Sequence, residues 1–279
     1  GQHSQYHDKA TWTYLYDNSC KGGSGHIWSE GLTEAWLLGG DPIPMEAALL
    51  EGEHLVSYFV PTFVRLGTHE RSAGWSLPAL LGLYRATGDA KYLASAGRLV
   101  RILMAEHKPH LGGAWAHLLP RDHGRNVPGA FGNCCFMMGI VLEALHKYDQ
   151  IAPSPELEKV IASAAGWLKS AFSPENIGWP YGAGIDGKGY GPCPGQSLNL
   201  MLVPGMMAGG VISDDREIYA IAEKVIATAT RMGISPVGKN LSYSLCMLPE
   251  LYEEMETFAA KHPELPPYRY SPEPLAPAK

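Results

Sequence analysis

Two stretches of this chain carry one pattern. Leu32, Trp36, Gly40, Asp41 and Ala48 align with Leu80, Tyr84, Gly88, Asp89 and Ala96 at a constant offset of 48. A fixed period of this size marks repeated supersecondary units, and it limits the fold more than any single motif does. Each copy reads as helix, Gly-Asp turn, helix. In the first, a helix from about His26 to Leu38 stops at Gly39-Gly40-Asp41. Its partner runs from about Pro44 to Phe59, with Met45, Ala48, Leu49 and Leu55 at helical spacing. Pro44 suits a first turn and Asp41 a cap nearby. In the second copy, Gly67 to Trp75 opens a helix that carries Leu77, Leu80, Leu81 and Tyr84. It stops at Thr87-Gly88-Asp89, and a partner helix follows from Lys91 to about Glu106.

The same reading continues down the chain. A third unit spans Phe131 to Tyr148 and then Pro155 to Phe172, with Ser154 as N-cap and Glu156 and Glu158 in the first turn. A fourth spans Ser197 to Val211 and then Asp215 to Arg231, where Ser213-Asp214-Asp215 replaces Gly-Asp. Asn240 to Met255 begins a fifth, with a break expected at Pro249. The first helix of each pair is apolar nearly all round, and the second is amphipathic. The first kind belongs inside and the second outside. Alternating inner and outer helices close into an all-α, α/α toroid of about five hairpins, an incomplete barrel. The helix N-termini, with free N–H groups and positive dipole ends, then gather on one rim suited to an anionic substrate. An open solenoid shares the repeat but accounts less well for the long aromatic loops. The expected organisation is an N-terminal arm over 1–24, the toroid over 25–262 and a proline-rich tail over 263–279.

Composition narrows the function classes. The net charge is -6, which argues against a general nucleic-acid partner, since such proteins carry a basic face. No run of about 18 apolar residues is present, so no membrane span is expected. Five cysteines, with an adjacent pair at Cys134-Cys135 and no CxxC, fit neither a zinc ribbon nor a disulfide framework. They read as buried apolar thiols. No HExxH or comparable spacing appears, so neither a catalytic metal nor another cofactor is expected.

Gly25-His26-Ile27-Trp28-Ser29-Glu30-Gly31-Leu32 followed by Gly40-Asp41 resembles the signature of α/α-toroid domains in carbohydrate-active enzymes. Gly74-Trp75-Ser76-Leu77 through Tyr84, Thr87-Gly88-Asp89 and Tyr92-Leu93 resembles their next hairpin. The chain is similar to the toroids of exo-acting rhamnogalacturonan lyases over roughly residues 25–105, and only generally so afterwards. The resemblance implies an acidic carbohydrate substrate and a secreted or periplasmic location. Such toroids often sit behind a β-rich domain, so the resemblance leaves two expectations: a stand-alone minimal toroid, or a piece of a larger enzyme whose β-rich domain or subunit is not in this chain.

The candidate chemistry sits at helix starts and in two loops. His26 and Glu30 are four apart, on one helix face, and read as an acid/base residue with its orienter or as substrate clamps. A cap with a buried hydrogen bond is the structural alternative. Trp28 lies between them in sequence, as a substrate-binding candidate. His69, Glu70 and Arg71 stand at the mouth of the second inner helix, where Arg71 could hold a uronate carboxylate with both nitrogens or pair with Glu70. Trp75 reads as core. The loop from His107 to Pro128 holds four histidines with Trp115, Arg121 and Arg125, of which His117, Arg121 and His123 are preferred. Asn133 opens the third inner helix. Trp179, Tyr181 and Tyr190 offer sugar platforms, and Tyr190 a base for β-elimination. His26, Glu30, His117 and Tyr190 are thus the expected catalytic group. A lyase would neutralise the uronate carboxylate, remove the proton α to it and protonate the leaving oxygen. A hydrolase would use Glu30 and Glu70 as its carboxylate pair. A third alternative is a non-catalytic toroid that binds glycans or stabilises an assembly. The inventory is richer in His, Tyr and Arg than in carboxylates, which favours the lyase.

Overall fold

The computed structural model describes residues 7–8, 13–14, 29–67, 70–121, 123–193, 195–232 and 245–265. The chain is mostly helical, with helices packed on one another. It divides into two compact units, Gly1–Pro109 with Ile140–Val160 and His110–Gly139 with Ile161–Lys279. Each is described by itself.

The first unit contains a two-residue antiparallel pair, β1 (His7–Asp8) with β2 (Thr13–Tyr14). Two helical hairpins follow: α1 (Glu30–Gly39) with α2 (Pro42–His54), and α3 (Glu70–Thr87) with α4 (Ala90–Glu106). Their turns are copies. Gly40 ends α1 at φ 72° with its N–H donating to the Trp36 carbonyl at 2.7 Å, and Gly88 ends α3 at φ 71° with its N–H on Tyr84 at 2.8 Å. A left-handed residue is easiest for glycine, which has no Cβ to clash. Asp41 then caps α2 by accepting from the Ile43 N–H at 3.0 Å, and Asp89 caps α4 by accepting from Lys91 N–H at 3.0 Å. The repeat seen in the sequence is therefore a repeat of turn geometry. α2 does not stop at its last regular residue. It runs on through a π turn, Leu55–Phe59, and a short helical turn, Val60–Thr62.

Glycines set how closely these helices approach. A Cβ on Gly82 of α3 would lie 2.8 Å from Thr33 Oγ1 of α1, and one on Gly52 of α2 would overlap Leu83. A Cβ on Gly74 would lie 2.7 Å from Ile140 Cγ2. Residues Ala73 to Leu83 of α3 are all buried, as expected of an inner helix. α1 departs from that expectation, since Leu37 is 56% and Leu38 90% exposed. Its apolar residues outnumber what its neighbours cover.

The helix α5 (Cys135–Asp149) gives its first turn to the second unit and the remainder to the first, and α6 (Pro155–Ser170) begins in the first unit and ends in the second. Ser154 caps α6 as expected, accepting from the Leu157 N–H at 3.3 Å. The second unit adds α7 (Gln196–Ser213), α8 (Arg216–Met232) and α9 (Leu248–Lys261), with α7 packed against both others. Its hairpin turn solves the same problem with different residues. Asp214 takes the left-handed place at φ 56°, and Asp215 accepts from the Glu217 and Ile218 N–H groups at 3.0 and 3.3 Å. From Asn199 to Gly210 α7 is buried throughout. Cys134, Cys135, Cys193 and Cys246 are free thiols; the first two are fully buried as expected, but Cys193 is half-buried and Cys246 exposed, against the expectation of buried thiols.

Two boundaries differ from the sequence reading. Asn133 does not open a helix. Phe131–Cys134 forms β4, the middle strand of an antiparallel sheet between β3 (His117–Leu118) and β5 (Gly182–Gly184), and the helix starts at Cys135. A four-residue strand, buried at three of its positions and joined directly to a helix, has no periodicity of its own to separate it from a first helical turn. Pro249 does not break a helix either. It sits in the first turn of α9, where its missing N–H costs nothing.

The glycines separate these roles experimentally. Gly166, inside α6, has nothing within 4 Å of where a Cβ would sit, so Gly166→Ala is expected to stabilise the fold by about 0.5–1 kcal/mol. Gly88→Ala places a Cβ on a left-handed residue and is expected to cost about 1 kcal/mol or more. Urea unfolding midpoints of the two variants, moving in opposite directions, check this.

Candidate functional site

Among the described residues, the first unit's sequence candidates Glu30 and Glu70 stand apart. His26, Trp28 and His69 lie outside the described residues. Glu30 opens α1, and both its carboxylate oxygens accept from the Lys147 ammonium, at 3.0 and 2.9 Å. Lys147 also stands 3.8 Å from Glu143, one turn earlier on α5. The Lys147 and Glu143 side chains are only 9% and 2% exposed and that of Glu30 is 24% exposed, so a buried ammonium stands between one buried and one part-exposed carboxylate. Glu30 is thus an ion-pair partner of the core.

Glu70 begins α3 and is fully buried. Burial pushes its pKa up to about 8, against the lowering effects of a backbone N–H and the neighbouring Arg71 charge. It is therefore largely a neutral acid at pH 7. Its distance from Glu30 follows from α3. The Glu30 backbone packs against Gly82, where a Cβ would come within 3.7 Å of the Glu30 Cα. Glu70 lies twelve residues earlier on that helix, about 18 Å along the axis at ~1.5 Å per residue. Glycosidase carboxyl pairs stand roughly 5–9.5 Å apart. The two glutamates are not such a pair, and the starts of α1 and α3 do not share one level as a common rim requires. Arg71 is half-buried beside Glu70, and Trp75 is core, 9% exposed.

In the second unit the sheet organises the candidates. His117 pairs with Gly132, and Gly132 with Gly184, so glycines fill one lane across the strands. After β5 the chain turns at Gly187 and returns, with the Tyr190 N–H donating to Gly182 at 2.9 Å. The Tyr190 hydroxyl donates to the Phe131 carbonyl at 2.9 Å and accepts from the Phe131 N–H at 3.3 Å. A Cβ on Gly184 would meet that hydroxyl at 3.2 Å. Tyr190 accordingly fastens the returning chain to β4, and its phenol is engaged by backbone. Trp179 is likewise no sugar platform. It is 1% exposed, donates its indole N–H to the Leu168 carbonyl at 2.7 Å and packs on Phe172 at 5.1 Å. The His117 Nδ1 faces the Trp115 carbonyl at 3.1 Å, which favours the tautomer protonated there.

One group does come together. The Tyr181 ring is half-exposed, with the His123 ring 5.7 Å and the Phe136 ring 5.2 Å away. The Arg125 guanidinium carbon lies 4.8 Å from its centroid. The loop that presents Arg125 is closed by Arg121, whose Nε donates to Asn126 Oδ1 at 2.9 Å, and by the Asn126 N–H on the Arg121 carbonyl at 2.8 Å. Arg125 and Asn126 both hold left-handed backbone, φ 52° and 63°. Such conformations cost about 1–3 kcal/mol each in non-glycine residues and cluster where a side chain must be aimed. Asn133 belongs to the same sheet face as Tyr181. It pairs with Ala183, and Cys135 donates its N–H to the Tyr181 carbonyl two residues along. Asn133 is fully buried, with neither amide atom hydrogen-bonded. An unsatisfied buried amide costs about 1–3 kcal/mol and invites a functional account.

His123, Tyr181 and Asn133 were legible as candidates, whereas Arg125 was passed over for Arg121. The two arginines share one loop, and only the left-handed pair at 125–126 decides which of them turns back. Asn126, tolerant of that conformation, is the faint signal. Among the described residues no group of three or more His, Cys, Asp and Glu could hold a metal ion. No described helix is long and apolar enough to cross a membrane.

Two outcomes follow from the buried charges. Lys147→Ala leaves Glu143 and Glu30 without their shared cation and is expected to cost about 3 kcal/mol, whereas surface ion pairs cost under about 1 kcal/mol. Glu70 is protonated in the folded chain up to about pH 8, while the unfolded chain ionises near the ordinary glutamate value of 4.5. In that window the folded state binds more protons, so stability falls as pH rises. Glu70→Gln is expected to flatten the fall between pH 5 and pH 8, as read by denaturant midpoints at each pH. Compared with known proteins, the chain matches no family model, no curated protein and no solved structure.

Proposed function

We propose that this chain is a carbohydrate-active enzyme that cleaves a uronic-acid-containing glycan by β-elimination, with its centre at His123, Arg125 and Tyr181. The observation that carries the reading is the guanidinium of Arg125 held 4.8 Å from the Tyr181 ring centroid, with the His123 ring 5.7 Å away on the same tyrosine. Charge neutralisation at a uronate carboxylate makes the adjacent carbon-bound proton easier to remove, and Arg125 supplies that charge. A cation against the ring also stabilises negative charge on Tyr181, which suits it to act as the base. The base takes the proton α to the carboxylate. The electron pair left behind forms the carbon–carbon double bond as the glycosidic carbon–oxygen bond breaks. The departing oxygen receives a proton from His123. Asn133, on the same sheet face, adds an amide with no hydrogen bond of its own.

Hydrolysis is less well supported. It needs two carboxylates flanking one bond, and Glu30 and Glu70 stand about 18 Å apart along α3. The finer fold is part of the proposal. Helices buried all round (α3, α5, α7) alternate with helices exposed on one face (α4, α6, α8), as in an α/α toroid.

Incubation with a panel of acidic polysaccharides tests the reading, followed by ultraviolet absorbance and product mass. The expected product is unsaturated, and Tyr181→Phe is expected to lower the rate at least ~100-fold with the fold intact. A product heavier by water, binding without cleavage, or full activity in Tyr181→Phe would each contradict the proposal.

A further inference from the structure

The Arg125 stem lies against the chain that returns after β5, and that chain is glycine where the two meet. A Cβ on Gly191 would stand 2.9 Å from Arg125 Cγ, 3.4 Å from its Cβ and 3.7 Å from its Cδ. Gly191 is exposed, and its backbone is not left-handed. What the position demands is room for the arginine stem, rather than a conformation that only glycine adopts.

The stem has little freedom to give way. Its Cβ is fixed by the backbone, and Arg125 and Asn126 both hold left-handed conformations, at φ 52° and 63°. Two hydrogen bonds close the loop around them, from the Asn126 N–H to the Arg121 carbonyl at 2.8 Å and from the Val127 N–H to the Gly124 carbonyl at 3.0 Å. A methyl group at 191 would push the root of the side chain, and the guanidinium beyond it would move too. The returning segment is itself held. Gly189 bridges to Ala183, and the Tyr190 N–H donates to the Gly182 carbonyl at 2.9 Å. The Tyr190 hydroxyl donates to the Phe131 carbonyl and accepts from the Phe131 N–H. A Cβ on Gly189 would come within 2.8 Å of Pro180 Cβ, next to Tyr181. One anchored segment therefore meets Arg125 and the neighbour of Tyr181, and sets the two relative to each other.

We propose that Gly191, held in place by Tyr190, is a positioning residue that seats Arg125 over the Tyr181 ring. Its bearing on catalysis rests on the reading of Arg125 and Tyr181 as the working pair of the reaction. The 4.8 Å between guanidinium carbon and ring centroid is the geometry the seat produces. Two left-handed residues that are not glycine and one exposed glycine each cost stability, and all three converge on the direction of one side chain. Arg125 is exposed, so that direction serves its head group and not the core. Misplacing a group of this kind by about 1 Å can lower a rate ~100-fold.

Nuclear magnetic resonance of the whole chain with isotope-labelled arginine reads the seat without any substrate. The Arg125 side-chain signals, assigned by their loss in Arg125→Gln, are expected upfield under the Tyr181 ring current, and Tyr181→Leu removes that displacement. Gly191→Ala is expected to return the same signals toward ordinary arginine positions with circular dichroism unchanged. Gly195→Ala adds a Cβ with nothing within 4 Å and is expected to leave them where they are. On an acidic glycan that the chain cleaves, Gly191→Ala is expected to lower kcat/KM roughly 10- to 100-fold. It is expected to add no further loss in Arg125→Gln, because it acts through that side chain. Arg125 signals that stay displaced in Gly191→Ala overturn the proposal, and so does a loss of rate that adds in full to that of Arg125→Gln. Should Gly191→Ala fail to fold, Tyr190→Phe adds no volume and frees the segment from Phe131. It is expected to move the same signals, and unmoved signals overturn the proposal. Signals that move as expected in a chain that cleaves no acidic glycan uphold the seat and overturn the proposed reaction instead.

Discussion

A left-handed residue followed by an aspartate whose carboxylate caps the next helix is the constraint on which the helical architecture rests. Gly40-Asp41, Gly88-Asp89 and Asp214-Asp215 all adopt it. The first residue ends one helix by turning its N–H back on the preceding turn, and the second satisfies the N–H groups that the new helix leaves open. The chain thereby reverses within two residues, and each helix must pack on the one before it. Close approach then falls to glycines that face a neighbour, such as Gly82 against Thr33 and Gly74 against Ile140. At the third turn Asp214 substitutes for glycine because an aspartate side chain tolerates the left-handed region. It also holds the His262 ring at 2.5 Å, a gain that glycine could not give.

Much of this was legible in the sequence because it is local. Turn chemistry, caps and the offset of 48 depend on residues within a few positions of one another. The helical hairpins, the helices α3, α5 and α7 buried nearly all round, and the buried cysteine pair are therefore found where the pattern puts them. The three-stranded sheet was not legible. Its strands come from residues 117–118, 131–134 and 182–184, and nothing near Phe131 reveals that its partners lie so far along the chain. The sheet moves Asn133 off a helix start and onto a face shared with Tyr181.

The candidate site was legible in its residue types and not in its roles. Glu30 looks like an acid or base at a helix start, but Lys147 reaches it from more than a hundred residues away. Tyr190 looks like a base in a loop, but its phenol ties two segments of backbone together. Both assignments turn on partners distant in sequence. Arg125 shows the converse. Its position over Tyr181 depends on two consecutive left-handed residues, a cost the backbone bears only where the surroundings hold it. The proposed chemistry is therefore placed on His123 and Arg125 and on Tyr181 and Asn133, which share one sheet face.

The most direct measurement is the position of a bound ligand. A crystal of the chain with an oligosaccharide containing a uronate, in a slowly reacting Tyr181→Phe variant, would show where the carboxylate sits. The account predicts it on the Arg125 guanidinium, with the Tyr181 ring facing the carbon beside the carboxylate and His123 toward the glycosidic oxygen. A uronate held instead at Glu70 and Arg71, with the His123–Arg125–Tyr181 group empty, would contradict it.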